Sequence, residues 1–343
     1  MRAAQYYGLE DIRLEDVDAP EPGPGEILVD VAACGICGSD LHFYTDGFPH
    51  EVDYPVTLGH EIGGTVAETT EGVEIAEGTE VVLSPHIPCG ECWCCAEGFY
   101  NLCRDLNATA AEPGGFAEQV VVPEELAVPL PDGIDPETAA VAQPVTVGLH
   151  AVRESPLTVG DSVAVVGAGP IGLGALRFAK LAGAGPIYVS EPQAFRRSIA
   201  ADYGADVVVD PTEEDFVERV HDETGRGADL AFEAVGHGAT LDQAIKATRP
   251  GGHTTVIGVF GGGAEVEPQD LVRHQRSVAG STSHQLGPRI DEEYGPTLRA
   301  LASGDLDAGP YVSSRIDLED VVTEGFEALL DDEREEIKIL VRP

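Results

Sequence analysis

Positive charge is what this 343-residue sequence has least of: 20 Lys plus Arg stand against 61 Asp plus Glu, a formal net charge of −41. Only three of the cations are lysines, Lys180, Lys246 and Lys338. Nucleic acid and anionic membrane surfaces would be repelled, so neither is expected as a partner. Long apolar runs are missing too. No stretch of 18 apolar residues occurs, and the opening MRAAQYYGLEDIRLED lacks the apolar core of a secretion signal. The expectation is a cytoplasmic protein, in a compartment that keeps thiols reduced. There is no internal repeat and no low-complexity tract.

What is present is enough for a folded core. A hydrophobic content of 43% excludes a disordered chain, and the length corresponds to about two domains. The acids are spread along the whole sequence rather than gathered in a tail. Such a surface repels itself at low ionic strength, whereas molar salt shortens the Debye length to about 3 Å and screens it. The pattern resembles proteins of salt-in halophiles.

Residues 25–33 (GEILVDVAA), 62–67 and 79–84 are short, apolar and β-branched, divided by Gly, Pro and acidic turns, which reads as a compact β-rich domain. From about residue 155 strand-like and helix-like stretches alternate. DSVAVVGAG leads into PIGLGALRFAKLAGAG, and PIYVSE into AFRRSIAADYGAD. VVVD at 207–210, DFVERVHDETG, ADLAFEAVG, LDQAIKATRPGG and HTTVIGVFG come next. That alternation predicts an α/β fold with a doubly wound parallel sheet and helices on both faces. IKILV at 337–341 reads as a closing strand.

VAVVGAGPIGLG carries G-x-G-x-x-G as Gly167, Gly169 and Gly172, with Pro170 and Ile171 opening the helix. The glycines allow a tight turn, close approach to a pyrophosphate and close helix packing, and the helix N-terminus attracts the anion. Glu191 ends the second strand 19 residues after Gly172 and suits the acid that binds ribose hydroxyls, which predicts NAD. Arg196 and Arg197 lie just beyond it and would instead grip the 2′-phosphate of NADP, or form a solvated helix face.

Five of the seven cysteines lie in CGECWCCAEGFYNLC, residues 89–103. Cys89, Cys92, Cys95 and Cys103 have the spacing C-x2-C-x2-C-x7-C, and four thiolates close a tetrahedral shell around a zinc that is structural because no position is left for substrate. Cys94 has no place in such a shell and is a bystander. The alternatives are free thiols or a redox CxxC.

CGICGSDLH at 34–42 and LGHEIGG at 58–64, with the four-cysteine stretch and the dinucleotide segment, resemble the zinc-containing medium-chain dehydrogenases over almost the full chain. EPQAFRR and the C-terminal FEALLDDEREEIKILVRP are most similar to the polyol and 2,3-butanediol dehydrogenase branch. The resemblance implies a second, catalytic zinc held by Cys37 and His60, with Glu61 as third ligand or exchanging neighbour. It implies that Ser39 contacts the alcohol, that His42 ends a proton relay, and that Asp40 orients His60. One position departs from the branch: Gln143 stands where glutamate is usual, and an amide is a weak zinc ligand.

The implied architecture is a GroES-like catalytic domain of residues 1–150 and 288–343 around a Rossmann domain of residues 151–287. The implied activity is zinc-dependent oxidation of a secondary alcohol, a polyol or diol, to a ketone by hydride transfer to NAD(P), the proton leaving through Ser39, the cofactor ribose and His42. Threonine or sugar oxidation within the same family is the alternative. A non-enzymatic zinc or redox sensor built on this fold is a further one. A homodimer or homotetramer is expected.

Overall fold

The computed structural model describes residues 1–48, 51–108, 114–331 and 334–343. The chain forms two compact units, residues 1–143 with 285–343, and residues 144–284. The first boundary lies before the expected 150/151, and one helix, Ala142–Glu154, contains both positions.

The first unit begins with β1 (Arg2–Gly8), β2 (Asp11–Asp16), β3 (Glu26–Gly35), α1 (Gly38–Asp46), β4 (Val56–Thr57), β5 (Glu61–Thr69) and β6 (Glu80–Leu83). It continues with β7 (His86–Ile87), α2 (Trp93–Ala96), β8 (Asn107–Ala108), β9 (Gln119–Pro123), β10 (Ala127–Pro129) and α3 (Pro136–Ala139), after which α4 (Ala142–Glu154) carries the chain into the second unit. Its main sheet runs β10-β6-β5-β3 and then the two C-terminal strands, with β9 also paired to β3. β3 alternates through the sheet with Ile27, Val29 and Val31 in a core that also holds Ile62, Val66, Phe116 and Phe326. The antiparallel register of β3 and β5 sets Gly35 opposite Glu61, and Cys34 opposite Ile62.

The second unit comprises β11 (Val163–Val166), α5 (Pro170–Leu181), β12 (Ile187–Ser190), α6 (Ala194–Asp202), β13 (Val207–Val209), α7 (Phe216–Thr224) and β14 (Ala228–Glu233). α8 (Gly238–Ala247), β15 (Thr248–Val256), α9 (Pro268–His274) and β16 (Ser277–Gly280) complete it. All six strands are parallel in the order β13-β12-β11-β14-β15-β16. This is the doubly wound order, with its switch point at β11. β11 (VAVV) and β12 (IYVS) are buried at every position, as strands covered on both faces must be. LDQAIKATRPGG divides: α8 stops at Ala247, and TRPGG opens β15.

The chain returns to the first unit with α10 (Asp291–Ser303), β17 (Ser314–Asp317), α11 (Glu327–Leu330) and β18 (Ile339–Arg342). β18 begins two residues after the start of the expected strand and pairs antiparallel with the end of β3, Leu340 opposite Gly35. β3 is thus flanked at its C-terminal end by β5 on one side and β18 on the other. No helix among the described residues is long and apolar enough to cross a membrane.

Candidate functional site

Cys37 is the residue before α1, in an extended conformation. Asp40 closes the helix start by accepting the Cys37 N–H on Oδ2 at 2.8 Å, which fixes the backbone that carries the thiol. His60 and Glu61 arrive at the head of β5. The ligand atoms of Cys37, His60 and Glu61 all lie within 4.8 Å of one another. The Gly35–Glu61 register leaves no room for a side chain at position 35, where a Cβ would stand 2.1 Å from Glu61 Oε2.

Glu61 is fully buried and has a fully buried cation beside it. Lys338 Nζ donates to Glu61 Oε1 at 2.7 Å, lies 2.7 Å from Oε2 and donates to the Ile36 carbonyl at 2.6 Å. Burial opposes the Lys338 charge, but Glu61 and Cys37 outweigh it and raise the pKa. His60 behaves likewise: burial lowers its pKa, yet Asp40 and Cys37 leave it well above the ordinary value. Two buried polar atoms in this cluster, Asp40 Oδ1 and His60 Nδ1, make no hydrogen bond and face one another at 3.7 Å. A thiol, an imidazole and a carboxylate converging with polar atoms unsatisfied is a donor set that fits zinc. Sequence reasoning missed Lys338. The available signal was a single lysine inside the apolar IKILV, in a chain with only three.

Ser39 is half-buried in the first turn of α1, and His42, one turn on, is exposed. His42 Nδ1 lies 3.4 Å from Asp46 Oδ2. Gln143 is buried near the start of α4. Cys34, in the core beside this cluster, has its thiol pKa pushed well up by burial, as befits a small apolar residue rather than a ligand.

The four cysteines of the lobe converge. Cys92 Sγ lies 3.6 Å from Cys95 Sγ and 3.9 Å from Cys103 Sγ, and Cys89 Sγ is 4.0 Å from Cys95 Sγ. Zinc–sulfur bonds of about 2.3 Å imply tetrahedron edges of about 3.8 Å, so these separations fit a zinc shell; a disulfide needs about 2 Å. All seven cysteines are free thiols. Cys92 is lowered to about 6, first by the backbone N–H of Arg104 and then by that of Cys95, while burial and Cys92 push Cys95 up to about 12. The Cys89 N–H donates to Cys103 Sγ at 3.2 Å. Cys94 is buried and stays outside the foursome.

In the second unit, a cavity of about 510 Å³ opens at the C-terminal ends of β11, β12 and β14, lined by Gly167, Gly169, Glu191, Arg196, Val235 and Gln243 among others. Gly167 has φ +95°, and a Cβ there would meet Val235 at 2.5 Å. A Cβ on Gly172 would lie 2.0 Å from the Gly167 carbonyl oxygen, whereas a Cβ on Gly169, the residue capping α5, would meet nothing within 4 Å. The three glycines therefore separate into turn, packing and open-approach positions, with Pro170 and Ile171 at the helix start. Glu191 is buried; its Oε2 accepts the Ala168 N–H at 2.8 Å and its Oε1 the Gln193 N–H at 3.0 Å. Arg197 is turned to the carbonyls of Glu191 and Pro192, at 2.9 and 2.6 Å, and to Asp210 at 2.9 Å. Arg196 is the arginine that lines the cavity.

A doubly wound dinucleotide-type unit and, in the same chain, a β-rich unit with two candidate zinc shells define the class, a nucleotide-linked metal dehydrogenase. Comparison with known proteins agrees. An alcohol dehydrogenase GroES-like domain is matched over residues 23–132 and a zinc-binding dehydrogenase domain over residues 170–303. The chain is 38% identical to a (R,R)-butanediol dehydrogenase of Bacillus subtilis strain 168 over all of both chains. It is 36% identical to the L-threonine 3-dehydrogenase of Pyrococcus furiosus, over 96% of this chain and 94% of that one. Among solved structures, 2R,3R-butanediol dehydrogenase from Bacillus subtilis superposes with a TM-score of 0.90, at 38% identity, over 100% of this chain and 99% of that chain. A zinc-binding dehydrogenase from Sinorhizobium meliloti bound to NADP gives 0.91 at 35% identity, again over 100% and 99%. The protein belongs to the zinc-binding alcohol dehydrogenase family.

Proposed function

We propose that this chain oxidises a secondary alcohol of a small diol or polyol to a ketone, passing hydride to NAD. The observation that carries the reading is the convergence of Cys37, His60 and Glu61 within 4.8 Å in a chain 38% identical, end to end, to a butanediol dehydrogenase. Cys37 and His60 would hold the catalytic zinc, with Glu61 as third ligand or exchanging neighbour, and Cys89, Cys92, Cys95 and Cys103 the structural one. Zinc, when bound, supplies Lewis-acid polarisation of the alcohol oxygen.

The chain's own groups do the rest. Asp40 fixes the Cys37 backbone, and Lys338 holds the Glu61 carboxylate by charge and hydrogen bond. Ser39 would take the proton at its Oγ and His42, exposed, would release it to water. Gly169 leaves the α5 N-terminus open to a pyrophosphate, and Glu191 would face the adenosine ribose. An anionic carboxylate there disfavours a 2′-phosphate and favours NAD; Arg196 is the residue through which NADP would still be accepted.

L-Threonine is the second substrate reading, since threonine dehydrogenases match at nearly the same identity. Steady-state assays with the 2,3-butanediol stereoisomers, sorbitol and L-threonine, each with NAD and NADP at molar KCl, separate the two. Highest kcat/KM on L-threonine would overturn the diol reading. The net charge of −41 supports a protein adapted to molar salt in the cytoplasm. The fully exposed edge strand β16 supports assembly through edge pairing into a homodimer or homotetramer, which light scattering would measure.

A further inference from the structure

Glu233 ends β14 with no accessible surface, and neither zinc shell nor the proposed hydride step uses it. Among the described residues no cation pairs with it. Its Oε1 accepts three hydrogen bonds instead, from the N–H groups of Val235 and Gly236, both at 2.9 Å, and from the Thr240 hydroxyl at 2.8 Å. Thr240 is the third residue of α8 and shares its proton with the His237 carbonyl, so one carboxylate oxygen sets both the turn after β14 and the start of the helix. The Glu233 backbone carbonyl takes the N–H groups of Ile257 and Gly258, which ties the same turn to the end of β15. Oε2 makes no hydrogen bond and faces Gly258, where a Cβ would stand 2.7 Å away.

The segment held in this way supplies one wall of the cavity: Ala234, Val235, Ala239 and Thr240 all line it. The opposite wall is held by the same device, Glu191 accepting the Ala168 and Gln193 N–H groups. Two glutamates at the ends of the strands on either side of β11 thus brace the two sides of the glycine turn. We infer that Glu233 is a positioning residue for the cofactor, fixing the 234–240 wall against which the adenosine half of the dinucleotide rests. This role rests on the cavity being the dinucleotide site.

The test is titration of wild type, Glu233→Ala and Glu233→Gln with AMP and with NAD at molar KCl, together with kcat and KM for NAD. Glu233→Ala strands the Val235 and Gly236 N–H groups and leaves the Thr240 hydroxyl to the His237 carbonyl alone, so Kd for both AMP and NAD should rise about tenfold together while kcat at saturating NAD stays within about threefold. The amide oxygen of Glu233→Gln keeps the acceptor, so that variant should recover most of the lost affinity. Should Glu233→Ala not fold, Thr240→Val removes one donor and should weaken AMP by about threefold. Unchanged Kd values in Glu233→Ala, or in Thr240→Val when the alanine variant does not fold, would overturn the inference. So would a glutamine variant as weak as the alanine one, or a loss confined to kcat. A wild type that binds neither AMP nor NAD would remove the dinucleotide reading itself, and this inference with it.

Discussion

The two thiol clusters of the first unit are built by opposite means. Cys89, Cys92, Cys95 and Cys103 come from one 15-residue stretch around the short helix α2, which Arg289 also touches through the Gly98 carbonyl at 3.3 Å. Cys37, His60 and Glu61 come from a helix start and a strand head, and the fourth member, Lys338, is 277 residues from Glu61 in sequence. The first shell is local and satisfied by its own sulfurs. The second keeps unsatisfied atoms and needs a buried cation to hold a buried acid. A cluster drawn from one short stretch follows its spacing, whereas one drawn from separate elements depends on the strand pairings that bring them together.

The sharpest way to break this contrast is to remove one thiol from each shell. Cys37→Ala is expected to cost about a thousandfold or more in kcat/KM while leaving most of the thermal stability. Cys92→Ala is expected to lower the melting temperature and disturb the lobe, with residual turnover in whatever stays folded. Metal analysis should return about two zincs per wild-type chain and about one in each variant. A single wild-type zinc that Cys92→Ala does not remove would mean that the lobe is not a metal shell.

Lys338→Met probes the outside support. Leaving Glu61 buried without its cation should destabilise the protein by about 3–5 kcal/mol, and Glu61→Gln in the same chain should recover much of that. The loss should be larger after chelator treatment, because bound zinc supplies part of the missing positive charge. Denaturant titration showing a loss below about 1 kcal/mol, with and without chelator, would mean that Lys338 is not what holds the acid.

Salt separates buried from exposed electrostatics. The wild-type melting temperature should rise markedly between about 0.1 M and about 2 M KCl, as the Debye length falls from about 10 Å to a few Å. The Lys338→Met penalty should barely change, since water and ions do not reach the pair. A flat wild-type curve would defeat the high-salt reading.

The smallest expected effect lies in the second unit, at a carboxylate with no metal nearby. Asp229 accepts from Arg249 Nε at 2.6 Å and from the Ser162 N–H and hydroxyl at 3.0 and 2.8 Å. Burial works against the charge, but Arg249 and Ser162 lower the pKa from 3.8 to about 2. A depressed carboxylate pKa adds stability that is complete above the unfolded value and fades as pH falls through the folded one. The gap between wild type and Asp229→Asn, about 1–2 kcal/mol after solvent screening, should therefore hold above about pH 4 and close toward pH 2. A gap independent of pH would assign the effect to shape rather than charge.

What could be read from the sequence obeyed the same divide. The four-cysteine spacing and the glycine turn are local patterns, and each occupies in space the arrangement its spacing implies. Cys37, His60 and Glu61 were legible through motif resemblance, but Lys338 was not, because its meaning depends on β18 lying against β3, a pairing no local pattern encodes. Glu233 was hidden for the same reason: a carboxylate at a strand end reads as solvated until the turn that donates to it is seen. The change of composition near residue 150 falls inside α4, so it does not mark the unit boundary at 143/144.

The 2.1 Å separation between Glu61 Oε2 and a Cβ at position 35 also constrains how this site can drift by mutation. Gly35→Ala alone must push the end of the Glu61 side chain away from the groups that hold it, and Glu61→Asp, which draws the carboxylate back by about one bond length, should lessen that cost. Growth at position 35 is therefore easier once position 61 has shrunk. Two neighbouring strands thereby behave as a single heritable character.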